Sequence, residues 1–191
     1  MLPRLFLAVL VGFFIFSPLS YAAKVTDYLP TDHTYNQAIP TPESSLGFGI
    51  GERHIRHDQL LNYIKVLANS SERITLTDIG QTQELRQQVL LTISSKDNLA
   101  NLSKILAKRS ATGSADDISS PLVIWLGYSV HGDEISGANA AMAVAYHLAA
   151  SENTDIKQML ENTLIVIEPS INPDGMDRFV QWANMHRGST P

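Results

Sequence analysis

Cysteine is absent from all 191 residues. Its absence excludes disulfides, a thiolate nucleophile and any cysteine zinc site, so a bound metal must be held by histidines and carboxylates, and an oxidising compartment changes nothing for the chain. Positive charge is also scarce. Fourteen Lys and Arg against 19 Asp and Glu give a formal net charge of −5, and there is no basic patch to hold a phosphate backbone, which argues against nucleic acid as a partner. Long apolar runs are lacking as well: the segment Leu5 to Phe16 has twelve residues, where a bilayer span takes about twenty. No internal repeat is present.

That twelve-residue segment follows Arg4 and precedes Ser20-Tyr21-Ala22, with small residues at the two positions a signal peptidase needs. It reads as a signal peptide, residues 1–22, cleaved after Ala22. The alternative is an uncleaved membrane anchor, to which Pro18 and the polar run after Lys24 lend no second span. Cleavage leaves 169 residues and, with the loss of Arg4 alone, a net charge of −6. The expected product is periplasmic or secreted and has no membrane partner. The length suits one domain, and the 44% hydrophobic content of the full sequence is enough for a core. Residues 23–48, with Pro30, Pro40 and Pro42, form an irregular lead-in, and a glycine-spaced approach to residue 51 opens the domain proper, residues 49–191.

Within that domain Asp58 is expected to cap a helix running to about Asn69, with Leu60, Leu61, Tyr63, Ile64 and Leu67 on its apolar side. Arg73 to Ile79 and Val89 to Ser94 read as a hairpin of strands around Gly80-Gln81-Thr82. A helix over Asn98 to Lys108, a polar loop over Arg109 to Ser120 and a short helix over Asn153 to Asn162 follow. Leu122 to Leu126 is a nearly continuous apolar run, the pattern of a strand buried on both faces, and Thr163 to Glu168 is a second one. Ile135, Ala138, Met142, Ala145 and Leu148 recur at helical spacing, so the helix between these strands can lie on the sheet. The succession predicts an α/β fold: a mixed, mostly parallel sheet with helices on both faces, incomplete in this chain.

The chemistry sits between the first of these strands and its helix. His131 and Glu134 form an H-x-x-E pair just past the carboxyl edge of the strand, where open α/β sheets present ligands, and both are zinc-type donors. Gly132 removes a side chain beside His131, and Asp133 stands at the mouth of the helix. Alone, the pair reads equally as two solvated loop residues. The second strand, however, runs into Asn172-Pro173-Asp174-Gly175.

An H-x-x-E after one strand, a helix, a second strand and an N-P-D-G turn, in that order, resemble the zinc carboxypeptidases, the carboxypeptidase A-like metallopeptidases, over roughly Gly51 to Pro191. The resemblance implies an exported metallocarboxypeptidase that hydrolyses C-terminal peptide bonds of peptide or protein substrates. It gives His131 and Glu134 the roles of two of three protein ligands to a catalytic Zn2+. The family's third ligand, a later His, and its general-base Glu and carboxylate-gripping Asn-Arg pair have no counterpart before Pro191, so the chain reads as the N-terminal part of a catalytic domain, inactive alone. Arg187 follows the turn where the family's oxyanion-steadying arginine is expected; a surface arginine is the other reading. The segment Thr82 to Arg86 resembles one in which Glu, Gly and Arg run together, with Leu85 where Gly is usual. Among the other histidines, His33, His54, His57 and His186 lie away from ligand-like positions and His147 is expected on the solvated face of its helix. Two further readings are an aspartoacylase or succinylglutamate desuccinylase-like amidohydrolase, and a zinc-free exported binding module on the same fold. Nothing in the sequence bears on oligomeric state.

Overall fold

The computed structural model describes residues 23–112 and 120–188. The signal-peptide segment and most of the polar loop before Ser120 therefore lie outside the described residues. No described helix is long and apolar enough to cross a membrane.

The lead-in carries a short 3-10 turn, Val25–Tyr28, and a one-turn helix α1, Pro42–Leu46. Helix α2 spans His57–Ser70, so Asp58 is not its cap but a first-turn residue, where its carboxylate holds Arg56 at 2.8 Å; the Gln59 side chain accepts the Arg56 N–H instead. Strand β1, Ile74–Gln81, pairs antiparallel with β2, Gln87–Ile93, the expected hairpin, and its turn lies later than expected, in residues 82–86. The predicted Asn98 to Lys108 helix is two pieces, α3 (Lys96–Ala100) and α4 (Leu102–Thr112), which meet at Asn101. Then come β3 (Leu122–Gly127), α5 (Ser136–Ala150), α6 (Thr154–Asn162), β4 (Thr163–Glu168) and α7 (Pro173–Met185).

The sheet is mixed, with strand order β1-β2-β4-β3. The balance within it differs from the expectation of a mostly parallel one. Only β3 and β4, joined through the α5–α6 crossover, run parallel; β1–β2 and β2–β4 are antiparallel. The reason is local: the hairpin turn forces β2 to reverse against β1, and β4 then docks against β2. Helices α2 and α5 pack on each other and on the sheet, α2 against β1 and α5 against β2 and β4. The apolar stripe Ile135, Ala138, Met142, Ala145 and Leu148 is buried as its spacing predicts, together with the apolar side of α2.

Of the two apolar strands, β4 is interior and buried along almost its whole length. By contrast β3 is an edge strand among the described residues, with Trp125 65% and Leu122 57% exposed. Its apolar run was expected to be buried on both faces; among the described residues Leu122 and Trp125 are exposed instead.

Candidate metal-binding loop

Beyond the strand ends the β3–β4 ladder does not stop. Tyr128 N–H donates to the Glu168 carbonyl at 3.0 Å, Ile171 N–H to the Tyr128 carbonyl at 2.9 Å and Asn172 N–H to the Ser129 carbonyl at 3.1 Å. These bonds zip the loop after β3 to the loop after β4, so the two motifs lie side by side. Gly132 is in backbone contact with Gly175: a Cβ built on Gly132 would lie 2.1 Å from the Gly175 carbonyl carbon. Glycine at 132 is thus required by the approach of one motif to the other.

The loop is folded by its own backbone. Ser129 sits in the left-handed region at φ 50, buried, and its hydroxyl donates to the Glu134 carbonyl at 3.2 Å. Glu134 N–H closes a turn onto the His131 carbonyl at 3.1 Å, and Gly137 N–H a second one onto the Glu134 carbonyl at 3.1 Å. The side chains of His131, Asp133 and Glu134 are left exposed at the carboxyl edge of the sheet. On the neighbouring loop, N-P-D-G is not a free turn but the start of α7: the Asn172 carboxamide oxygen accepts from Gly175 N–H at 3.0 Å, and Pro173 fills the first helical position.

Asp174 anchors this helix start to the β1–β2 turn. Thr82 Oγ1 donates to it at 2.7 Å, Arg86 Nη1 at 2.8 Å and the Glu84 N–H at 3.2 Å, while Arg86 Nε reaches Asp177 at 2.8 Å. Arg86 also pairs with Glu84. Burial alone would raise the Asp174 carboxyl, but the hydrogen bonds from Thr82 and Arg86 outweigh it and hold it below the ordinary carboxylate range. Leu85, where the resembling segment has Gly, stands at φ 62 and is 74% exposed. The turn therefore needs a left-handed residue, which glycine supplies at no steric cost.

The sequence-predicted site is thus brought together in part. His131 and Glu134 share one exposed loop. Arg187 follows the end of α7 and borders a small cleft with Arg53, His54 and Asn184. His147 is not solvated as expected but half-buried, its Nδ1 2.9 Å from the Tyr35 hydroxyl. No group of three or more His, Asp or Glu able to hold a metal occurs among the described residues. An imidazole and a carboxylate suit zinc chemically, and they make two of the three protein ligands that a catalytic site uses. Ser129, Gly137 and Arg86, which shape the loop and brace its neighbour, lack any motif of their own; only the Glu-Leu-Arg spacing hinted at the last.

The zinc carboxypeptidase family model matches residues 60–190, more than half of the chain. The chain belongs to the zinc carboxypeptidase family. Among curated proteins, carboxypeptidase D of Homo sapiens is 28% identical over 129 residues, which are 66% of this chain and 8% of that protein; the Rattus norvegicus and Mus musculus proteins match equally. The chain thus spans a small part of the length of these relatives. Similar solved structures are a carboxypeptidase A from Helicoverpa armigera (19% identity, TM-score 0.49, 73% of this chain and 34% of that one) and thrombin activatable fibrinolysis inhibitor (15%, 0.45, 64% and 26%). In this zinc carboxypeptidase domain the matched region contains both motif loops and all four strands of the sheet.

Proposed function

We propose that the chain supplies the first half of the active site of an exported zinc metallocarboxypeptidase, with His131 and Glu134 as two of the metal's protein ligands. The observation that carries this reading is their exposure on a loop fixed, through Gly132, against the N-P-D-G start of α7. Zinc in such a site lowers the pKa of a bound water and polarises a scissile carbonyl. The chain's own residues do the positioning: Ser129 fixes the loop's entry, and the turns closed by Glu134 and Gly137 set the spacing of the two donors. Export rests on the Arg4, Leu5 to Phe16 and Ser20-Tyr21-Ala22 pattern. The substrates are peptides or proteins, cleaved at the C-terminal residue. A role for Arg187 in steadying the oxyanion belongs to the same proposal.

The test is release of C-terminal amino acids from peptides by the protein that carries this chain together with a third ligand and a base. His131→Ala and Glu134→Ala are expected to abolish it while circular dichroism is unchanged, and His186→Ala, an exposed ring tilted against Trp182, is expected to leave it intact. Full activity in Glu134→Ala would remove the basis for the assignment. With two ligands and no base, residues 23–191 alone are expected to show no hydrolysis.

A further inference from the structure

The lead-in is held to the far end of α5 by a compact set of contacts that the zinc loop does not involve. Asn36 N–H donates to the Ala150 carbonyl at 2.8 Å, Glu152 N–H to the Thr34 carbonyl at 2.9 Å and Thr34 N–H to the Asn153 carboxamide at 2.8 Å. Around this backbone clasp the rings of His33 and His147 lie 5.2 Å apart, Tyr35 stacks on Tyr146, and the Tyr35 hydroxyl meets His147 Nδ1. Two imidazoles so close, on opposite sides of one contact, make a pair that is compatible when neutral and repulsive when both are charged.

We propose that this contact is an acid-sensitive clasp, in which protonation of His147 beside His33 frees the lead-in from α5. The charged and titratable groups around the pair favour this. From the lead-in come Asp32, His33 and Tyr35, and from α5 Tyr146 and His147. From α6 and the turn before it, Asp155 lies 3.7 Å from His33 Nε2, while Glu152 is taken up by Lys157 at 2.7 Å and, from the start of β1, by Arg73 at 3.9 Å. Asp155 therefore faces His33, and among the described residues no acid is hydrogen-bonded to His147. Burial, and then the neighbouring His33, lower the His147 pKa below its ordinary 6.5. The sign follows: the open state binds a proton more readily, so the clasp is fully closed above pH 6.5 and loosens as pH falls through the lowered value, by up to about ten-fold in opening constant per pH unit.

Opening has a structural consequence. Tyr28, Leu29 and Pro30 of the same lead-in wall an apolar cavity of about 850 Å³ whose other side runs from Asp133, beside Glu134 in the loop, along α5 to His147. Freeing the lead-in widens that cavity.

Amide hydrogen exchange on the full chain between pH 7.5 and 5.5, corrected for intrinsic rates, tests the clasp. The amides of Thr34, Asn36 and Glu152 are expected to lose protection as pH falls, up to about ten-fold per unit, and to lose more of it than Val166 in β4. His147→Asn, which retains a group near the Nδ1 position and cannot be charged, is expected to flatten the response. His33→Gln, which removes one of the two causes that lower the His147 pKa, is expected to shrink the response. Protection that is independent of pH, that falls in parallel with Val166, or that responds identically in His147→Asn would overturn the proposal.

Discussion

Replacing Gly132 by Ala tests whether the two motif loops are held by backbone contact. The new Cβ would meet the Gly175 carbonyl carbon at 2.1 Å, and ordinary contact begins near 3.4 Å, so the loops must part by about 3.4 − 2.1 = 1.3 Å. Overpacking of this kind costs about 1–3 kcal/mol, and it strains the bonds from Ile171 to Tyr128 and from Asn172 to Ser129, each contributing about 0.5–1.5 kcal/mol. The expected loss is ~2–4 kcal/mol, read in urea as a lower midpoint at constant slope, or as a melting temperature lower by roughly 5–15 °C. Gly127→Ala is the comparison. Its Cβ would lie 2.6 Å from Ile171 Cδ1, the end of a side chain that can turn away, so its cost should stay below about 1 kcal/mol. Equal effects of the two substitutions, or a Gly132→Ala effect within about 0.5 kcal/mol of zero, would refute the backbone-contact argument.

Other perturbations have equally definite outcomes. Leu85→Gly removes a left-handed non-glycine residue whose side chain is exposed; it should be neutral or stabilising by up to about 1 kcal/mol in the same urea titration. Arg86→Met should lower the melting temperature and raise exchange at the Thr82 and Glu84 amides, because Asp174 and Asp177 lose their shared cation. The wild-type carboxyl of Asp174 is held below its ordinary 3.8, so its contribution is present above about that pH and is lost as pH falls through the lowered value; Arg86→Met, which leaves the Thr82 bond in place, should shrink that acid-side step. His57, buried with Nε2 on the Gln87 carbonyl and Nδ1 without a partner, has its pKa lowered chiefly by burial. Stability should therefore decline as pH drops below 6.5, less steeply in His57→Gln, measured by urea midpoints from pH 7.5 to 5.

Much of this architecture was written in local pattern. The helical spacing of Ile135 to Leu148 and the apolar runs of β3 and β4 announced three elements and their burial against one another. What pattern could not carry was position in the sheet: an apolar run looks the same in β4, which is interior, and in β3, an edge strand among the described residues. Antiparallel pairing of β2 with β4 likewise depends on where the chain returns, not on either strand's composition. The H-x-x-E pair was legible as a candidate because it stands just past an apolar strand and is followed by a second strand and N-P-D-G. Ser129 and Gly137 were not, since their roles come from one left-handed residue and one close approach. His147 misled because a helix face opposite the core can still be covered by a distant segment, here the lead-in through Tyr35.

The most direct test of the account is a zinc titration of residues 23–191 followed through the imidazole signals of the six histidines by nuclear magnetic resonance. The account predicts weak, saturable binding that shifts His131 first, is lost in His131→Ala, is weakened in Glu134→Ala and is unchanged in His186→Ala. Zinc binding that persists undiminished in both His131→Ala and Glu134→Ala, or that shifts the His33 and His147 pair while His131 stays unmoved, would contradict it.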